Sequence, residues 1–269
     1  MEVFNMEHVI DRLIVVDLKG AMAHFRAFYT NSSSLTYSFP PRTVVTGILA
    51  GIMGLQRDSY YDKFNSQSCR LGISIISPFR KIMNTLNYSF MKSPTHFIIN
   101  QGQHIQVQFE TLIPEKNSSL WGELIYRIYF WHSDKSIMDE IKYRTQQKRY
   151  KYPPFMGISE YTAELEFVEE ITRDRIQKIQ SDEYEDFITV LNADLITEYG
   201  LEFKNDENKS LQYMKEIMPI EFKSDRSNKS MGKFIFEKNL RNVRAKIKSS
   251  FIRIGNINLA FMETDNGAN

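Results

Sequence analysis

The segment Leu124 to Trp131 (LIYRIYFW) is apolar on both of its alternating faces, which marks a strand covered on two sides at the centre of a sheet. Leu13 to Leu18 (LIVVDL) has the same character and ends at Gly20, so it reads as a second buried strand. A chain with two such strands must bring helices or further sheets to both faces. Pro41 suits a first helical turn, and Val44, Val45, Ile48, Leu49, Ile52 and Met53 recur at helical spacing behind it. Gly47, Gly51 and Gly54 fall on another side of that helix and lead us to expect close approach of a neighbouring backbone. Cys69 to Phe79 reads as a strand. His104 to Leu112 alternates, with Ile105, Val107 and Phe109 expected inward.

Ser133 or Asp134 can cap a second helix with Ile137, Met138 and Ile141 on its buried stripe, and Tyr161 to Val168 reads as the strand after it. The order β-α-β-β-(β)-α-β is that of an α+β, ferredoxin-like (RNA-recognition-like) domain over residues 1–170. The stretch Arg80 to Gln103 is polar, aromatic and too long for a plain hairpin turn, and such insertions are usually functional. Residues 171–269 read as a smaller β-rich C-terminal domain, with strands at Phe187 to Leu191 and Phe234 to Glu237. Arg244, Lys246 and Lys248 alternate with apolar residues. Either an edge strand guarded by lysines or a phosphate-facing strand accounts for them.

Composition narrows the function. With 34 Lys+Arg against 33 Asp+Glu, binding of nucleic acid by bulk charge is excluded, and any such site needs local segregation. Basic stretches do occur at Lys142 to Lys151 and Lys238 to Arg253, and acidic ones at Glu160 to Glu170 and Asp182 to Asp186. One cysteine, Cys69, excludes a disulfide framework and a thiolate zinc cluster, and gives a reducing, cytoplasmic setting as the expectation. Met1 to Arg12 lacks the apolar core of a signal peptide, and Val44 to Leu55 is too short to span a bilayer. None of the five histidines (His8, His24, His96, His104, His132) stands in a metal-ligand spacing, so neither metal nor cofactor is expected.

The chemistry gathers between Lys19 and Thr43. Lys19, Arg26 and Arg42 can neutralise phosphates, and backbone N–H groups near Gly20 and at the helix start can receive an oxyanion. Phe25, Phe28, Tyr29 and Tyr37 can stack on splayed bases, while Ser32 to Ser34 and Thr43 offer hydroxyls. The same residues also fit a structural role, with Phe25, Phe28 and Phe39 in the core and the serines at a disordered tip. The base-stacking aromatic motif of RNA-recognition sheets is absent from the strands, so RNA held by this protein is held by loops. His24, with Lys19, Tyr29 or Tyr37, could instead serve metal-independent RNA cleavage.

These residues carry a resemblance. D-L-K-G-x-x-A-H-F-R-x-F-Y-T-N-S-S-S-L-x-Y-x-x-P-P-R-T, followed by G-I-L-A-G-I-M-G-L and R-D-S-Y-Y, resembles the CRISPR-associated Cas-five family, Hmari (type I-B) branch. R-K-I-M-N-T-L-N-Y, H-I-Q-V-Q-F-E and Y-P-P-F-M-G fit too, so the likeness runs along nearly the whole chain. It implies a Cascade surveillance-complex subunit with a β-hairpin thumb, here about 80–104, between two strands. Such a subunit grips the 5′ handle of the CRISPR RNA, touches the backbone and large subunits, and meets target DNA only through the complex. Carried onto this sequence, the handle cradle comprises Lys19, Gly20, His24, Phe25, Arg26, Tyr37, Arg42 and Thr43. Arg80, Lys81, Asn87 and Tyr88 are thumb contacts, with His104 and Gln106 on its return. One branch of the family is itself an endonuclease using Tyr, Lys and His. This chain resembles the branch that leaves cutting to a dedicated enzyme, so no catalytic residue is expected.

Overall fold

The computed structural model describes residues 9–30, 33–90, 93, 104–115, 122–203 and 211–264. The N-terminal part runs β1 (Arg12–Gly20), β2 (Phe25–Arg26), β3 (Ser33–Ser34), β4 (Thr36–Tyr37), α1 (Arg42–Met53) and β5 (Cys69–Ile75). It continues with β6 (Phe79–Ser89), β7 (His104–Pro114), β8 (Leu124–His132), α2 (Lys135–Gln146) and β9 (Glu164–Thr172). Four strands form an antiparallel sheet in the order β5-β8-β1-β9. The two both-face-apolar segments therefore lie side by side inside it, with Leu13, Ile14, Val16, Leu18, Leu124, Ile128 and Phe130 fully buried. Helix α2 packs on β1, β8 and β9 and against α1.

Local chemistry sets the helix limits. Pro41 precedes α1, and Gly54 closes it in the left-handed region at φ 83°, returning its N–H to Ala50 and Gly51. Asp134, not Ser133, caps α2 by accepting from the Ser136 N–H at 2.8 Å. The expected backbone approach along the α1 glycines is not what they meet. A Cβ at Gly47 would touch the Tyr60 hydroxyl, one at Gly54 would strike the Lys151 side chain, and one at Gly51 would meet open space. Backbone does reach the end of the helix, where the Lys151 and Tyr152 N–H groups donate to the Ile52 and Gly51 carbonyls.

The expected strand from Cys69 to Phe79 is two strands, β5 and β6, parted at Ser77-Pro78. β6 and β7 then pair antiparallel from Phe79↔Pro114 out to Ser89↔His104. The remainder of the thumb expected at 80–104 lies outside the described residues, apart from Phe90 and Ser93. Ile105, expected inward, is 45% exposed. Its alternation is real, but this end of the ladder projects beyond the core.

The C-terminal part begins with β10 (Gln177–Ile179), β11 (Glu185–Phe187), β12 (Leu191–Asn192), β13 (Ile196–Glu202) and β14 (Tyr213–Phe222). It ends with β15 (Asn228–Glu237), β16 (Val243–Ile247), β17 (Phe251–Ile254) and β18 (Ile257–Leu259). One sheet has the order β10-β17-β18-β11-β16-β13 and a second the order β12-β15-β14. β16 is thus interior to its sheet, which removes the edge-strand account of its basic face. Arg244 pairs with Glu202 and Asp186, and Lys246 lies over the Tyr184 ring.

Residues from both parts share the main core, where Val190, Met218, Ile220, Phe234 and Met262 join the central-sheet side chains. The tail is locked in by charge. Glu263 and Arg42, both almost wholly buried, form an ion pair. Arg42 also donates to the Cys69 carbonyl at 3.0 Å, and Glu263 accepts the Leu71 N–H at 3.1 Å.

Candidate functional site

The loop that follows β1 is folded onto β7. Ala23 exchanges backbone hydrogen bonds with Leu112 at 3.1 and 2.9 Å. Ser33 and Ser34 run parallel to β7 opposite Gln108 and Phe109, while Phe25 and Arg26 pair with Tyr37 and Thr36. The serines are therefore strand residues, not a tip; Ser32 lies outside the described residues. Gly157, at φ 96°, lies on the other side of His24, where a Cβ would fall 2.0 Å from the His24 carbonyl oxygen. Only glycine permits that approach.

His24 is the peg of this arrangement. Its ring stacks on Phe109 at 3.9 Å between centroids and is 1% exposed. Nδ1 lies 2.7 Å from the Glu110 carbonyl, an acceptor only, so Nδ1 carries the proton. Nε2 then accepts from the Ser34 hydroxyl at 2.9 Å. Burial holds the imidazole pKa below its ordinary value, against the opposing pull of the Glu110 carbonyl, which keeps the ring neutral.

A second knot lies beside it. Lys81 Nζ donates to the Thr36 carbonyl at 2.6 Å and lies 3.4 Å from Glu216 and 3.8 Å from Glu110. Glu110 accepts the Thr36 N–H at 2.9 Å, and Glu216, from β14, accepts the Ser38 N–H and hydroxyl at 2.9 and 2.7 Å. Loop, hairpin and C-terminal sheet meet at this point.

The expected cradle is consequently divided. Phe25, Tyr37 and Arg42 are each 1% exposed, so Phe25 and Tyr37 are core rings and Arg42 serves Glu263 rather than a phosphate. Gly20 is buried against Met156, and Thr43 sits half-buried in the first turn of α1. Lys19 pairs with Glu166, a hydrogen bond that raises the lysine pKa. What the loop presents outward is Arg26, without a partner among the described residues, together with Phe28 and Tyr29, 52% and 59% exposed. Those two rings meet edge to face at 5.5 Å, and Tyr29 meets Tyr37 the same way at 6.2 Å. Phe28, expected as core in the structural alternative, is a surface ring.

On the hairpin, Arg80, Asn87, Tyr88, His104 and Gln106 are all exposed. Asn87 stands opposite Gln106, and Ser89 opposite His104. Arg80 and Tyr88 are eight residues apart, roughly 27 Å along a strand. The loop contacts and the outer hairpin contacts are therefore two regions of one extended surface, with Lys81 tied down between them. Glu110 and Glu216, which organise this surface, gave no sequence signal, since Glu216 meets a residue 178 positions away.

A four-stranded antiparallel sheet carrying two helices, a long projecting hairpin and β-rich C-terminal sheets defines a mostly β, α+β protein. Residues 13–116, which contain β1, the folded loop, α1 and the hairpin, match the family described as CRISPR-associated protein (Cas_Cas5). By that match the N-terminal region is similar to that of CRISPR-associated Cas5-family proteins. Two solved structures share the fold. One is titled "Crystal structure of a CRISPR protein from Archaeoglobus fulgidus", with TM-score 0.54, 11% identity, and coverage of 94% of this chain and 100% of that one. The other, a chain of a "CRISPR RNA-guided surveillance complex", has TM-score 0.50, 11% identity, and coverage of 87% and 91%. No curated protein matches the chain significantly. Among the described residues, no helix is long and apolar enough to cross a membrane.

Proposed function

We propose that this protein is the subunit of a type I-B CRISPR surveillance complex that holds the 5′ handle of the CRISPR RNA. It acts in antiviral defence in the cytoplasm, contacts the backbone and large subunits, and meets target DNA only through the complex. The observation that carries this reading is the extent of the family match, which coincides with the folded loop and the hairpin. The neighbour of similar fold from an RNA-guided surveillance complex supports an RNA-bearing assembly. So does the chemistry of the outward loop surface, where an unpaired guanidinium and two exposed rings suit a phosphate and unstacked bases.

A non-catalytic role is the reading that His24 favours. A general base must reach the proton it removes, but this imidazole is buried, stacked on Phe109 and bonded at both nitrogens. Purifying the complex from its host, crosslinking with ultraviolet light and sequencing the bound RNA tests the proposal. Crosslinks from repeat-derived 5′ ends to Phe28, Tyr29 or Tyr88 are expected, and their placement solely on another subunit overturns it. Incubation of the purified protein with repeat RNA in EDTA tests the endoribonuclease alternative, with no discrete cleavage expected.

A further inference from the structure

Tyr37 has a hydroxyl with no use in the fold. The side chain is 1% exposed and the oxygen has no hydrogen-bond partner. The Phe28 backbone N–H lies close enough to oppose, in part, the upward push that burial gives the hydroxyl's pKa, but outside hydrogen-bond geometry. An orphaned buried hydroxyl costs about 1–3 kcal/mol, which phenylalanine would avoid while filling the same space. The one other buried orphan among the described residues, Ser74 Oγ, sits in the central sheet with Tyr129 beside it. Tyr37 differs in that the Tyr29 ring, on the turn at Phe28–Tyr29, rests edge to face on its own at 6.2 Å.

That cover is lightly held. Its described hydrogen bonds are Ala27 N–H to the Leu35 carbonyl at 2.8 Å and the Thr30 hydroxyl to the Ala27 carbonyl at 3.1 Å. The two rings of the turn are more than half exposed, whereas Tyr37 is anchored through β4 by Phe25, Lys81 and Glu216. Arg26, next along β2 from the residue paired with Tyr37, is exposed and has no partner among the described residues, which leaves it available to a phosphate.

Building on the RNA-binding reading above, we infer that Tyr37 reads a base. An unpaired ribonucleotide displaces the Tyr29 ring, lies against Tyr37 and completes the hydrogen bond of its hydroxyl through a nitrogen or oxygen on the base edge. Tyr29, once displaced, stacks on the outer face of that base. A hydroxyl that is unsatisfied when the site is empty and satisfied when it is filled gives discrimination, because a base with no group at that position leaves the orphan in place.

The test uses full-length protein, the Tyr37→Phe variant and four labelled homopolymeric RNAs of about twelve nucleotides, with affinity read by fluorescence anisotropy. The wild type is expected to prefer one homopolymer. Tyr37→Phe is expected to weaken binding of that RNA by about tenfold and leave the others unchanged. Its melting temperature should be equal to or above that of the wild type. An unaltered preference in the variant, or no preference in the wild type, overturns the inference while leaving the RNA-binding reading intact. A melting temperature lowered by more than about 3 °C overturns it too, by showing that the hydroxyl already has a partner. Failure of the wild type to bind any of the four RNAs counts against the RNA-binding reading itself.

Discussion

Glu216 reaches across the molecule to Ser38, accepting its backbone N–H at 2.9 Å and its hydroxyl at 2.7 Å. The same carboxylate lies 3.4 Å from Lys81. One acidic residue of the C-terminal sheet thereby fixes the loop to the base of the hairpin. Glu216→Ala leaves the Ser38 N–H unpaired and withdraws a counter-charge from Lys81, at a cost of about 2–3 kcal/mol in urea unfolding. Hydrogen exchange at Thr36 to Ser38 should accelerate in that variant while the central sheet is unaffected. Uniform acceleration along the chain would mean that Glu216 acts on global stability alone.

Arg42 and Glu263 form a buried pair, so removing one member strands the other. Arg42→Met should destabilise by about 3–5 kcal/mol, because Glu263 is left charged in the interior. The double variant Arg42→Met with Glu263→Leu should recover much of that loss. Denaturant titration of the two single variants and the double variant closes the cycle. A double variant less stable than either single one would refute the account.

Legibility in the sequence followed the range of the interaction. Strands β1 and β8 and both helices could be read from periodicity and from local signals such as Pro41 and Asp134, because each rests on near neighbours. The break at Ser77-Pro78 was missed because the apolar run continues across it into Phe79. In the loop, residue type indicated nucleic-acid chemistry but could not show orientation. Phe25 and Phe28 look alike in the sequence, and strand pairing turns one inward and leaves the other in solvent. Arg42 was misread for a related reason: its partner Glu263 is 221 residues away, and nothing near Arg42 signals a buried acid.

The neutral state of His24 makes stability depend on pH. Its folded pKa lies below the ordinary histidine value of about 6.5 because the ring is buried, and His132 is shifted the same way for the same reason. As pH falls through that ordinary value, the unfolded chain takes up protons that the folded one refuses. This contribution to stability is therefore complete above about pH 7 and declines toward pH 5, until the folded rings themselves protonate. Urea unfolding at pH 7.5 and 5.5 should show the decline. His24→Gln should lower stability at pH 7.5 yet reduce the difference between the two pH values. An unreduced difference in that variant would assign the pH dependence to other groups.

Arg26, at the end of β2, and Tyr29, on the turn that follows, sit three residues apart and should fail in different ways. Arg26→Ala removes a phosphate partner, so RNA binding should weaken at low salt and converge on the wild type as salt rises. The slope of log affinity against log salt should fall by about 0.7 for single-stranded RNA. Tyr29→Ala removes a stacking surface, which costs about 1–3 kcal/mol at every salt concentration and leaves the slope unchanged. Both side chains are exposed, so neither variant should shift the melting temperature by more than about 2 °C. Anisotropy titrations across a salt series separate the two effects. If Tyr29→Ala alters the slope, or Arg26→Ala does not, the division of labour between cation and ring on this turn is wrong.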